Sequence, residues 1–536
     1  MNIKVLDCTL RDGGYINDWE FGKENIKKIV NYLTQSEIDI IECGFLSNKR
    51  EYDEERSIFD TVERFTNFLP KNKNNQLYVC MVNYGEYKSE DIPNYDKTKL
   101  DGIRVAFHKK DKEKAVELCK SIKEKGYKLF IQPMVTINYT DKEIIKLVEI
   151  FNEIKPYAFY IADSFGVMKK NDLLRMFYLI DNNLDKKIKF GYHSHNNIQL
   201  AYSNSQTLIE LRTDREIIID SSVFGMGRGA GNLNTELFIQ HLNETIKSNY
   251  YVYPLLKIID EVLNKIYKNK YWGYSLPYYL SSNYNCHPNY ATHLSDKNTL
   301  TINSISEILS KITIEKKGNF DQNYIEDLYL DYQKHYIDDT KYIEKLAKDF
   351  YTENVLLIAP GKSIKDYIAL INDKIKENNL KVISINFIPK YFNPEYIFIS
   401  NEKRFEELVE SGKYNPKDKK YILTSNVSNE KDIEYAVVNY LHLLNTIHDV
   451  SDNSTLMLLK LLKKLKVNKI YLAGFDGYSI NAEENYANKD MILTTTNEKL
   501  NLMNQGIVEF LNKIKKELNI EFITPTKYNK LLEGNY

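Results

Sequence analysis

The chain has 536 residues, 73 Lys and Arg against 74 Asp and Glu for a formal net charge of −1, and 43% hydrophobic residues. At roughly 100–200 residues per domain this length calls for two or three domains, and the apolar content excludes a disordered chain. The charge balance argues against a general binder of nucleic acid or anionic membranes, and five scattered Cys without a CxxC pair argue against a disulfide framework or a zinc knuckle.

Taken in chain order, runs of β-branched and aromatic residues predict strands at 3–7 (IKVLD), 38–43, 77–82, 102–107, 128–134, 157–163, 188–193 and 216–220. The segments between them carry apolar residues at helical spacing, as with Ile26, Ile29, Val30 and Leu33. Eight strand–helix units predict an α/β fold, a (β/α)8 TIM barrel over residues 1–250, whose strands are buried on both faces. A Tyr-rich helical extension is expected over 251–345, interrupted by a polar stretch holding Asn285, Cys286, His287 and Pro288. Further apolar runs at 354–359, 381–387, 395–399, 419–424 and 468–474 alternate with amphipathic helices. They predict a second, open-sheet Rossmann-like α/β domain over 346–536.

Polar residues gather at the ends of the first eight strands: Asp7, Arg11 and Asp12, then Glu42 and Cys43, Asn83, His108, Asp163 and Ser164, His193 and His195, and Asp220. In a barrel these ends converge on the face where active sites are built. Residues i and i+2 of a strand share a face, so His193 and His195 project to one point, and Asp12 at the end of the first strand completes two nitrogens and a carboxylate. That set suits Mn²⁺ or Mg²⁺, with Zn²⁺ a less common choice.

The segments LDCTLRDGGY, YIADSFGVM (160–168), GYHSHNN (191–197) and GMGRGAGNLNTE (225–236) resemble the HMGL-like metallolyase barrels. These include 4-hydroxy-2-oxovalerate aldolase, 3-hydroxy-3-methylglutaryl-CoA lyase and the isopropylmalate and homocitrate synthases. The aldolase pattern is the nearest, over about residues 3–240. The resemblance implies that Asp12, His193 and His195 bind the metal with Asn232 as a further ligand, and that Arg11 steadies the enolate oxygen of a pyruvate-like unit. A Lewis acid and a fixed cation are what a developing enolate requires. Glu42 matches an acidic residue that organises the family's site, and Glu42, Asp163 and Ser164 join Arg11 as candidate substrate-binding residues.

One position departs from the family. The aldolases carry an acid/base histidine three residues after the Asp, where Tyr15 stands here. A phenol with an ordinary pKa near 10 is a poor base unless a cation lowers it. Tyr15, His108 and a metal-bound water are the candidates for proton transfer. His287 reads as a loop residue without a catalytic role, with a lid over the mouth as the other reading, and Cys43 reads as an inert packed thiol. Gly225, Gly227, Gly229 and Gly231 could expose backbone N–H groups to an anion.

In the last domain, Pro360-Gly361-Lys362-Ser363 could set a helix N-terminus under a phosphate, although it lacks the spacing of a nucleotide P-loop. This turn, with 398–401 and 469–479, faintly resembles bacterial sialyltransferase-like domains, which implies a nucleotide sugar as a partner there. No His follows His448, which counts against transfer chemistry. The expected activity is a metal-dependent aldolase or lyase taking a 2-oxo acid and an aldehyde. The alternatives are a Claisen-type acyl-CoA condensing transferase and a non-catalytic scaffold for the C-terminal module. The absence of an apolar run of about 18 residues and of a signal pattern leads to a cytoplasmic expectation, and the Tyr-rich middle is consistent with a homodimer.

Overall fold

Eight strands close the barrel: β1 (Ile3–Asp7), β2 (Ile40–Leu46), β3 (Leu77–Asn83), β4 (Gly102–Phe107), β5 (Lys128–Pro133), β6 (Ala158–Asp163), β7 (Lys189–Ser194) and β8 (Ile217–Ser221). In the computed structural model, which describes residues 3–70, 75–96, 100–211, 213–427, 435–488, 490–493 and 495–529, each strand pairs in parallel with the next and β1 pairs with both β2 and β8. The period of two explains the continuous apolar runs. Leu6, Ile40, Val79, Phe130, Tyr160 and Ile218 pack together inside the ring, while their neighbours Val5, Ile41, Cys80, Ile131, Ile161 and Ile219 face the helices. The helix Lys23–Gln35 buries Ile26, Ile29, Val30 and Leu33 completely against that outer layer. At roughly 1.5–3 kcal/mol for each large apolar side chain, that stripe contributes about 6–12 kcal/mol before entropy is counted. The helix Asp141–Ile154 is started by a reciprocal capping box between Thr140 and Glu143.

The described chain falls into two compact units, Met1–Ala291 with Thr313–Phe320, and Thr292–Ile312 with Asp321–Tyr536. Among the described residues no helix is long and apolar enough to cross a membrane. All five cysteines are buried and none is in a disulfide, and burial pushes the Cys8 and Cys80 thiols well above their ordinary value.

The second unit is built on seven parallel strands: β9 (Asn354–Ile358), β10 (Lys381–Ile385), β11 (Tyr396–Ile399), β12 (Lys420–Thr424), β13 (Ala436–Val438), β14 (Lys469–Ala473) and β15 (Ile520–Phe522). Their order is β13-β12-β11-β10-β9-β14-β15. The sequence showed five of these; β13 and β15 are three-residue edge strands, too short for a period to register. The expectation of a phosphate cradle at 360–363 is corrected. The Gly361 N–H donates to the Gly474 carbonyl at 2.8 Å, and the Ser363 N–H donates to Asp476 at 2.8 Å. These donors tie the loop after β9 to the loop after β14, and the loop leads into a single turn, Lys362–Lys365, rather than a long helix. A cavity of about 380 Å³ opens where the strand order reverses between β9 and β14, with Arg404, Asn453, Asp476 and Tyr486 among its walls.

Candidate active site

The turn after β1 is shaped by its own backbone. The Arg11 and Asp12 N–H groups both donate to the Cys8 carbonyl, at 3.1 and 2.8 Å, and Trp19 Nε1 donates to the Arg11 carbonyl at 2.7 Å. Asp7 braces the turn from beneath, accepting from the Thr9 N–H at 2.9 Å and the Thr235 hydroxyl at 2.7 Å. Burial lifts the Asp7 carboxyl to about 6 despite those bonds. The turn delivers Asp12 beside His193 and His195, and one ligand atom from each of the three lies within 4.8 Å of the others. All three side chains are buried.

The partners of these three side chains leave them able to hold a cation. His193 Nδ1 faces Asp220 Oδ2 at 3.1 Å, which leaves Nε2 for a metal. His195 Nδ1 stands 3.8 Å from Asp12 Oδ2 and has no hydrogen-bond partner. Asn232 donates from Nδ2 to Asp12 Oδ2 at 2.7 Å, and its buried Oδ1 has no partner. Burial, helped by Arg228 and opposed by Asp12, lowers His195 to about 3, so its ring is neutral as a ligand must be. Burial alone would raise Asp12, but His195, Arg11 and His193 hold it well below the usual carboxylate range. Gly227 permits this packing, since a Cβ there would stand 2.0 Å from Asn232 Nδ2 and 2.7 Å from Asp12 Oδ2.

Behind the ligands runs a buried chain of alternating charge. Arg11 donates to Asp12 at 2.6 Å and to Glu42 at 2.8 Å, Glu42 lies 3.0 Å from Arg104, and Arg104 pairs with Asp220, the acceptor for His193. Arg104 projects from the middle of β4, is fully buried, also donates to Gln132, and lies 4.7 Å from the centre of the Tyr160 ring. Burial opposes the charge on Arg104, but Asp220 and Glu42 outweigh it and raise its pKa. The sequence reading passed over Arg104; the available signal was a charge inside the apolar run GIRVAF. Arg11 keeps one buried donor, Nη2, without a partner.

The other sequence candidates take varied positions. Glu42 is fully buried and bonded to Arg11, so here it positions that guanidinium. Asp163 gives both oxygens to backbone N–H groups, those of Val167 and Met168 at 3.0 Å each, and Ser164 Oγ accepts from the Val135 N–H at 2.9 Å. In this geometry both hold loops at the mouth. Tyr15 stands edge-on to Trp19 and remains 40% exposed. Desolvation outweighs Arg228 and raises its phenol, so Tyr15 is a proton donor at neutral pH. His108 is half-buried after β4 and its pKa is lowered, by burial first and then by Lys110.

His287 departs from its reading as an idle loop residue. Its ring lies 6.4 Å from Phe165, which follows Asp163 and Ser164, and the Ser282 hydroxyl donates to the Phe165 carbonyl at 3.3 Å. Burial, together with Arg228, His195 and His108, lowers His287 to about 3. The helical segment therefore brings an imidazole to the barrel mouth. Its Nδ1 accepts from the Asn289 N–H at 3.2 Å, so the neutral ring carries its proton on Nε2. Arg228 was also missed; it is the lone charge in a loop noted for its glycines.

Residues 2–262 match the HMGL-like family model. The 4-hydroxy-2-oxovalerate aldolase of Carboxydothermus hydrogenoformans is 25% identical over 275 residues, 49% of this chain and 77% of the relative. That of Geobacillus genomosp. 3 is 23% identical over 245 residues, 45% of this chain and 70% of the relative. The crystal structure of the N-terminal domain of an aldolase-like protein from Bacteroides vulgatus aligns with 26% identity over 57% of this chain and 99% of its own, at a TM-score of 0.48. The sequence matches support an enzyme of the lyase type. They lend no support to the faint sialyltransferase likeness of the C-terminal segment or to a nucleotide sugar there.

Proposed function

From the premise that residues 2–262 form an HMGL-like domain, we propose that the protein is a divalent-metal-dependent carbon–carbon lyase of the aldolase kind, which joins or separates a 2-oxo acid such as pyruvate and an aldehyde. The observation that carries this reading is a pair of buried atoms beside Asp12 without partners, the acceptor Asn232 Oδ1 and the donor Arg11 Nη2. An unsatisfied buried polar atom costs about 1–3 kcal/mol, and a cation and a substrate oxyanion would satisfy one each.

The donor set fits a metal: one carboxylate, two imidazoles and an amide oxygen suit Mn²⁺ or Mg²⁺. When bound by Asp12, His193, His195 and Asn232, it would supply Lewis acidity to the 2-oxo group. Arg11 donates from Nη2 to the oxygen on which enolate charge develops, and Glu42 and Asp12 hold the guanidinium in place.

In cleavage, an unprotonated His108 takes the proton of the C4 hydroxyl. The C3–C4 bond breaks, the aldehyde leaves with its carbonyl formed from that hydroxyl, and the bond's electron pair becomes the enolate. The imidazolium then returns the proton to C3. His287 carries its proton on Nε2 and serves as a hydrogen-bond donor to the aldehyde oxygen rather than as a base, and Tyr15 is a donor for the same reason of protonation.

Purified full-length protein, stripped with chelator and returned to Mn²⁺ or Mg²⁺, should exchange the methyl protons of pyruvate into deuterated water, followed by NMR. Exchange should vanish with the metal and return with it. Metal bound at the site with no exchange would refute the reading.

A further inference from the structure

Gly227 packs directly on Asp12 and Asn232, so the chain delivers the next residue, Arg228, to the rim of the cluster. From there the guanidinium reaches across the mouth. Nη2 donates to the Ser164 carbonyl, after β6, at 3.0 Å, and the guanidinium carbon lies 5.6 Å from the centre of the Tyr15 ring, after β1. Loops from three strands thus meet on one cation, which is half-buried and forms no ion pair among the described residues.

The ionisable groups around it offer no counter-ion. Asp12 is already bonded to Arg11 and Asn232. The other groups that feel its charge include the phenol of Tyr15 and the imidazoles of His108 and His287, none of them a carboxylate. A partly desolvated cation without a carboxylate opposes folding, and such a guanidinium is suited to a ligand's carboxylate or phosphate.

Charge balance says which part of the ligand is involved. Behind the mouth, the carboxylates of Asp12, Glu42 and Asp220 face the guanidiniums of Arg11 and Arg104. That leaves one negative charge; a divalent ion turns it into one positive charge, which the single carboxylate of pyruvate matches. Arg228 is left over.

We propose that Arg228 binds a second anionic group, a carboxylate or a phosphate, on the aldehyde partner, so that the favoured substrate is a dianionic 4-hydroxy-2-oxo acid rather than one with a plain alkyl tail. This rests on the 2-oxo acid reading above and adds a requirement to it.

The test is calorimetric titration of the metal-loaded full-length protein with 2-oxoglutarate and 2-oxopentanoate, two five-carbon 2-oxo acids that differ in carrying a terminal carboxylate or a methyl group. Wild type should bind 2-oxoglutarate about 10- to 100-fold more tightly, the range of one charged hydrogen-bonded contact. Arg228→Gln should erase that preference and Arg228→Lys should keep part of it. Equal affinities in wild type, or a preference that survives Arg228→Gln, would overturn the proposal while 2-oxopentanoate binding preserved the 2-oxo acid reading. Binding of neither acid would sink both. Condensation of pyruvate with succinic semialdehyde or with glyceraldehyde 3-phosphate then separates carboxylate from phosphate. A kcat/KM for butanal equal to both would overturn the second-anion requirement.

Discussion

Replacing Arg104 with Met should destabilise the barrel by a charge effect rather than a packing effect. The side chain is fully buried, lies 3.0 Å from Glu42 and pairs with Asp220. Met fills much of the same volume but leaves both carboxylates short of a cation. Breaking a buried pair by removing one partner costs about 3–5 kcal/mol. Because Glu42 keeps Arg11 and Asp220 keeps His193, the lower end is expected, about 3 kcal/mol, or roughly a 100-fold larger unfolding constant. The pH dependence identifies the cause. Burial would raise Asp220, but Arg104 and His193 depress it. Its stabilising contribution is therefore present above the unfolded carboxylate range, near pH 4, and is lost as pH falls through its folded pKa. Without Arg104 the Asp220 pKa climbs, so the deficit should be largest at about pH 8 and shrink toward about pH 5 as Asp220 takes up a proton. Urea unfolding followed by tryptophan fluorescence reads this unit alone, because the chain's two tryptophans, Trp19 and Trp272, both belong to it. A loss under about 1 kcal/mol, or an equal loss at both pH values, would refute the reasoning and point to packing.

Asp220→Asn, which weakens the acceptor behind His193, should lower affinity for Mn²⁺ by about 10- to 100-fold in competition with a fluorescent chelator; unchanged affinity would mean that His193 needs no such orientation. Asp7→Asn probes the turn below the site. With its carboxyl raised to about 6, the stabilisation from Asp7 is full below the unfolded value, near 3.9, and is lost as pH rises through about 6. The neutral amide should therefore gain on wild type, by on the order of 3 kcal/mol, between about pH 4 and pH 7.5. Parallel urea titrations that show no such drift would count against a raised carboxyl.

The barrel was legible because its strands are buried on both faces. A run such as EIIID reads as a strand whether Ile218 points inward or Ile217 and Ile219 point outward, and eight such runs with helical spacers leave few closures open. That His193 and His195 stand together was legible for the local reason that i and i+2 share a face, and Asp12 joins them from the turn that follows the first strand, beside the closure. Local spacing also explains what was missed. Arg104 meets Asp220 across 116 positions, and a charge inside an apolar run has no reading until the ring closes and supplies its counter-charges. His287 reaches the mouth from beyond the eighth strand, carried by a helical segment whose docking no periodicity encodes. The loop at 360–363 looked like an anion cradle until the sheet order set it beside Asp476. Sequence alone determined the barrel, five of the seven strands of the second sheet, and the Asp and His types of a cluster that could hold a metal, since these follow from patterns within a few residues. Only the tertiary structure decided which charges are matched and which, like Arg228, have no counter-ion among the described residues, because Coulomb energy and desolvation depend on distance in space and not along the chain.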